Sequence, residues 1–200
     1  MAIFVLVHGA WGGAHGFRKV RGPVWRAGHQ VFTPSLTGIG ERAHLTSPQV
    51  CLTTHVTDVV NTLLYEDLRD VVLLGFSYGG FVVTGALEHI GDRVAHLVYL
   101  DAFVPADGDS LDTLTGGGAG RVIGLGRDWL VPPLAREYDD PAEAAWYAAR
   151  RTLAHAASAG SSNSRGLGGI SQSPPSSTTP WPASPVVSIR SPSPGTNASR

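Results

Sequence analysis

Gly75-Phe76-Ser77-Tyr78-Gly79 sets one serine between small residues, after the apolar run Val71–Leu74 and before residues with helical spacing. An alcohol is a poor nucleophile unless the chain exposes and activates it. A sharp strand-to-helix bend does the first: it thrusts the hydroxyl outward, and glycines on either side prevent clashes across the turn. The helix that follows aims free N–H groups at the same point, where an oxyanion would develop. The spacing therefore points to acyl transfer through Ser77. His8-Gly9-Ala10 follows another apolar run, Ile3–Val7, and belongs at the same edge of a sheet, where open α/β sheets place ligands. The Ala10 and Tyr78 amides then form a two-donor oxyanion hole. His8 reads as a structural histidine that holds this loop, and Trp11, Gly12 and Gly13 as the pocket entrance.

The flanking elements read as alternating strands and helices. Ile3–Val7, Gln30–Thr33, Val71–Leu74 and Val94–Leu100 are strand-like runs. Between them, Phe17–Ala27 predicts a helix that Gly22-Pro23 interrupts and Gly28 stops. Val56, Val59, Val60, Leu63 and Leu64 fall on one helical face with Asp58 in its first turn. Val83, Ala86, Leu87 and Ile90 mark a third helix, ended by Gly91. Asp140-Pro141-Ala142-Glu143 supplies an N-cap, a proline at N1 and an acid at N3, opening a helix expected to reach about Leu153. This is an α/β pattern: a parallel sheet with helices on both faces.

Composition sets limits. The 200 residues are 42% hydrophobic and 16% charged, with 15 basic and 16 acidic side chains and a formal charge of −1. No charged field favours nucleic acid or an anionic membrane, and no apolar run is long enough to span a bilayer. The single cysteine, Cys51, excludes an internal disulfide and a cysteine-based zinc cluster. The eight histidines are scattered without an H-E-x-x-H pair, so neither a metal nor a cofactor is expected. Ile3–Val7 lacks the flanks and length of a signal peptide, which gives a cytoplasmic expectation. Gly116–Gly120 carries no phosphate-loop pattern and reads as a flexible connection. Arg42 and His44 read as a solvated loop, and Glu66 and Asp67 as a continued helix face.

Three segments, Phe4–Trp11, Gly75–Gly80 and Leu97–Pro105, together resemble the α/β-hydrolase superfamily. The branch is that of plant hydroxynitrile lyases, salicylate-type methylesterases and many bacterial esterase-like proteins. The resemblance covers residues 1 to about 155. It implies that Ser77 is the nucleophile, that Ala10 and Tyr78 hold the oxyanion, and that residues 105–156 form a cap over a core spanning 1–104. It also implies a triad whose acid and histidine follow the serine on loops late in the sheet.

Here the chain departs from the pattern. No carboxylate side chain follows Glu143 and no imidazole follows His155. From Ser158 to Arg200, 28 of 43 residues are Ser, Pro, Gly or Thr, so residues 157–200 are expected to be a disordered tail and the sheet incomplete at its C-terminal end. Pro185–Ile189 has strand-like residues but stands alone among prolines. The Ala, Arg, Pro, Ser and Gly bias suggests a truncated or frameshifted product, with a genuine disordered tail as the alternative. Two surviving residues are candidate triad substitutes. Asp101 ends the strand after the nucleophile helix, yet reads first as a cap-hinge carboxylate. His155 reads first as a residue offsetting the dipole near the end of the cap helix.

The expected function is serine-dependent hydrolysis of a small carboxylic ester or related carbonyl compound, impaired for want of a base. A cyanohydrin lyase, a non-catalytic small-ligand-binding module and a misfolded remnant remain as alternatives.

Overall fold

The computed structural model describes residues 1–116, 130–136, 138–155 and 186–189. Strands β1 (Ile3–Val7), β2 (Gln30–Phe32), β3 (Val71–Phe76), β4 (Val94–Leu100) and β7 (Val186–Ile189) form one parallel sheet in the order β2-β1-β3-β4-β7. Helix α1 (Arg18–Arg26) joins β1 to β2, α2 (Leu52–Tyr65) joins β2 to β3, and α3 (Gly79–Ile90) joins β3 to β4. The direction reverses after β2. Right-handed crossovers therefore put α1 on one face and α2 and α3 on the other. The core lies under α2 and α3, where Val59, Leu63, Phe81, Val83 and Ile90 have no exposed surface. Burying side chains of this size stabilises the fold by about 1.5–3 kcal/mol each.

Several boundaries differ from the sequence expectation. Helix α1 runs through Pro23. The residue before a proline ordinarily clashes with its ring, and Gly22 has no Cβ to do so. Helix α2 begins at Leu52, which moves Asp58 from the first turn to the second. There its carboxylate accepts from Thr37 N–H at 2.6 Å and from the Thr37 hydroxyl at 2.9 Å. Asp67 ends that helix instead of continuing its face: it adopts φ +45° and pairs with Arg93 at 3.0 Å.

Helix α5 (Pro141–Ala148) starts as expected, with the Asp140 carboxylate accepting from Ala142 N–H at 2.8 Å. It stops short of Leu153 because tertiary bonds claim the next residues. Thr152 N–H donates to Trp11 O at 3.1 Å, and the Thr152 hydroxyl accepts from Gly40 N–H at 2.9 Å. Ala154–His155 is then β6, antiparallel to β5 (Leu130–Val131). His155 is thus a strand residue and has no helix dipole to offset. A short helix α4 spans Leu111–Leu114.

The run at Val186–Ile189 is not alone: it pairs in parallel with Leu97–Leu100 along the outer edge of β4. The rest of the 157–200 segment, and Gly117–Gly120, lie outside the described residues. An open apolar edge invites pairing between chains. A chain cut after His155 is therefore expected to form oligomers or aggregates on size-exclusion chromatography, where the full chain does not. An equally monodisperse truncation would show that β7 does not protect the edge.

Candidate active site

Ser77 sits at the bend between β3 and α3 with φ +54°, a left-handed conformation that costs a non-glycine residue about 1–2 kcal/mol. Two bonds hold it there: the Ser77 carbonyl accepts from Gly80 N–H at 3.0 Å and from Phe103 N–H at 3.2 Å. The flanking glycines are required by contact. A Cβ on Gly75 would lie 2.7 Å from Gly79 O, and one on Gly79 would lie 2.6 Å from Val7 O. The elbow thus packs directly on the end of β1, and α3 starts against it. Bonds of the first turn begin at Gly80 N–H, so the Tyr78 and Gly79 amides ahead of it have no carbonyl of their own helix to reach.

The β1 loop supplies the facing backbone. A Cβ built on Gly9 would lie 3.1 Å from Ser77 Cβ and 3.4 Å from Ser77 Oγ, so Gly9-Ala10 runs alongside the nucleophile candidate. His8, 2% exposed, fixes the orientation of this peptide. Its Nε2 accepts from Leu36 N–H at 3.0 Å, which leaves the proton on Nδ1 to be donated to Gly9 O at 2.8 Å. Because the peptide is trans, drawing Gly9 O toward the imidazole turns the Ala10 N–H the opposite way. Burial is the main cause of a His8 pKa lowered to about 4, so the ring is neutral at ordinary pH. The structural role expected for His8 is the one its hydrogen bonds show.

Ser77 and Ala10 line a cleft of about 600 Å³, whose far wall comes from Leu134, Arg136, Tyr138, Tyr147 and Arg151. That wall is tied down. Trp11 Nε1 donates to Val131 O at 3.1 Å, the Tyr147 hydroxyl donates to Gly16 O at 2.8 Å, and Arg151 donates to Leu134 O at 2.6 Å. Glu143, at N3 of α5, pairs with both Arg18 and Lys19 at 2.8 Å, and their hydrogen bonds, Lys19 first, hold its carboxyl below the usual range. The contact joins α5 to α1.

The other predicted residues are placed differently. Tyr78 is 2% exposed, with its ring behind the elbow. Asp101 ends β4 with φ +45°, and its carboxylate faces Arg136 at 3.6 Å. Asp101 is not among the described residues that line the cleft, and the side chain of His155 lies outside what the structure describes. Among the described residues, no imidazole hydrogen-bonds to the Ser77 hydroxyl.

Sequence reasoning missed the polar network beneath the elbow. His55 is fully buried, with Nδ1 2.9 Å from the Tyr78 hydroxyl and Nε2 3.0 Å from Thr37 O. The available signal was a histidine on the apolar stripe of α2, beside Val56 and one turn before Val59. Arg42, read as solvated, donates to Ser35 O at 2.9 Å and to Asp58 at 3.2 Å.

A strained serine elbow on a parallel α/β sheet, with a backbone-lined cleft before it, defines a class, and the family comparison agrees. Residues 4–193 match the model of the alpha/beta hydrolase family, and the chain belongs to that family. It is 52% identical over 114 residues to a carbendazim hydrolyzing esterase of Nocardioides sp. (strain SG-4G), a match covering 57% of this chain and 47% of that protein. It is 32% identical over 108 residues to an alpha-hydroxynitrile lyase of Arabidopsis thaliana, covering 51% and 40%. The chain therefore spans less than half the length of these curated relatives. Among solved structures, an extracellular alpha/beta-hydrolase from a Paenibacillus species aligns with TM-score 0.68 and 23% identity over 80% of this chain and 68% of that one. That likeness concerns the fold. Among the described residues, no helix is long and apolar enough to cross a membrane.

Proposed function

We propose that the chain is a serine-dependent hydrolase of small carboxylic esters, acting through an acyl-enzyme and turning over poorly. The observation that carries this reading is Ser77 at φ +54° in the cleft, with the Gly9-Ala10 backbone beside it and the α3 amides next in sequence. The Ser77 oxygen attacks the ester carbonyl carbon, the tetrahedral oxyanion is held by the Ala10 and Tyr78 N–H groups, and the alkoxide leaves as the alcohol. Water then attacks the acyl-enzyme and releases the acid. Residues 105–156 act as the cap that shapes substrate choice, and the core occupies 1–104.

The weak point is the proton on Ser77. His8 cannot take it, since its one acceptor nitrogen is occupied by Leu36 N–H. Asp101 faces Arg136. Without a positioned base the hydroxyl loses its proton to solvent, and turnover falls roughly a million-fold below that of a complete triad. A fluorophosphonate probe reads the first step alone. Slow, stoichiometric labelling at Ser77 is expected, falling to background in Ser77→Ala. Equal labelling of both proteins would remove Ser77 as the nucleophile.

The similarity to an alpha-hydroxynitrile lyase favours a second reading, in which Ser77 serves as a base toward a cyanohydrin. Cyanide release with no trapped acyl-enzyme would select it.

A further inference from the structure

We infer that His55 is a positioning residue for the oxyanion donor at Tyr78, anchored on the Leu36-Thr37 loop that it shares with His8. The inference rests on the reading of Ser77 as nucleophile.

Hydrogen-bond partners fix the proton positions of His55. Thr37 O only accepts, so Nε2, 3.0 Å away, carries the proton; Nδ1 then accepts from the Tyr78 hydroxyl at 2.9 Å. The phenol of Tyr78 is thereby tethered on the side of the residue away from the cleft. Its ring is further confined by Phe81, stacked at 6.4 Å, and by the edge of His55 at 5.7 Å. Tyr78 is the residue after Ser77 and the N-cap of α3, so holding its side chain restrains the peptide that carries its N–H.

The anchor itself is stiff. Thr37 donates to Asp58 through both its amide and its hydroxyl, and Arg42 ties Asp58 to Ser35 O. One residue earlier, Leu36 N–H donates to His8, which in turn orients Gly9 O and so the Ala10 amide. Two buried imidazoles thus run from adjacent residues of one loop, one to the Gly9 carbonyl of the peptide that carries the Ala10 N–H and the other to the Tyr78 hydroxyl. Their relative position is set by covalent neighbours, Leu36 and Thr37, although Ala10 and Tyr78 lie far apart in sequence. A hydrogen bond weakens steeply as its geometry drifts, so a brace of this kind acts on the tetrahedral state more than on ground-state binding.

The test separates limiting rate from saturation in fluorophosphonate labelling. For His55→Leu, the limiting rate is expected to fall roughly tenfold while half-saturation stays within about twofold. His55→Gln, whose amide can donate to Thr37 O and accept from Tyr78, is expected to recover most of the rate. Should His55→Leu not fold, Tyr78→Phe removes only the hydroxyl and gives the same readout. An unchanged limiting rate in Tyr78→Phe would overturn the inference. Wild-type chain that does not label at Ser77 defeats the nucleophile reading instead, and the brace is then read by NMR. The Ala10 amide resonance is expected to move in His55→Leu and to return in His55→Gln. An Ala10 resonance that is the same in those two variants would refute the shared anchor, whatever the labelling result.

Discussion

Gly79→Ala is expected to lower the melting temperature by about 10 °C and to abolish labelling at Ser77. The added methyl would meet two backbone oxygens, Val7 O at 2.6 Å and His8 O at 2.9 Å. Backbone cannot swing aside as a flexible side chain does, so either β1 or the start of α3 must shift. Overpacking of this kind costs about 3 kcal/mol, and at this chain length each kcal/mol lowers the midpoint by roughly 2–4 °C. The same shift carries Ser77 away from the Gly9-Ala10 backbone, which is why chemistry falls together with stability. Gly12→Ala is the control: it lies on the same cleft, has nothing within 4 Å of its added Cβ, and is expected to melt as wild type does. A Gly79→Ala chain with wild-type melting and labelling would mean that close packing on β1 does not fix the elbow.

Acid is expected to destabilise the fold through His8 by about 3 kcal/mol as the pH falls from 6.5 to 4. In the folded state, burial lowers the His8 pKa from 6.5 to about 4. Between those values the unfolded chain binds a proton that the native chain refuses, so stability is fully present above pH 6.5 and declines toward pH 4. Below that, both states carry the proton and the loss is complete. The structural reason is that Nε2 already accepts from Leu36 N–H; a proton placed there would break that bond inside a dry site. Thermal melts at pH 7, 6, 5 and 4.5 measure the slope. His8→Gln, which cannot titrate, is expected to show a flatter profile over this range. Parallel profiles for the two proteins would assign the acid sensitivity to other groups. Glu41 and Glu143, both with carboxyls held below their usual range, begin to lose their contribution as the pH falls through that usual range, so the slope above it is the part that reports His8.

Local sequence determined the strands, the three helices between them and the elbow. Val71–Phe76 is apolar and opens on two valines, Gly79–Ile90 has helical spacing, and only glycine at position 75 clears the Gly79 carbonyl four residues on. Each of these features depends on residues close together in the chain, which is why a linear pattern reveals it. Tertiary structure decided the rest. Helix α5 stops at Ala148 because Thr152 bonds to Trp11 and Gly40, more than a hundred residues away. Val186–Ile189 becomes a strand because the edge of β4 offers unpaired backbone groups, and no neighbouring proline in the sequence reveals that edge. The pairing of His55 with Tyr78 joins a helix to an elbow 23 residues later, and His55 by itself looks like a polar interruption of an apolar stripe. Hydrogen bonds are short-ranged and directional, so their partners are chosen only once the sheet has brought distant segments within 3 Å of one another.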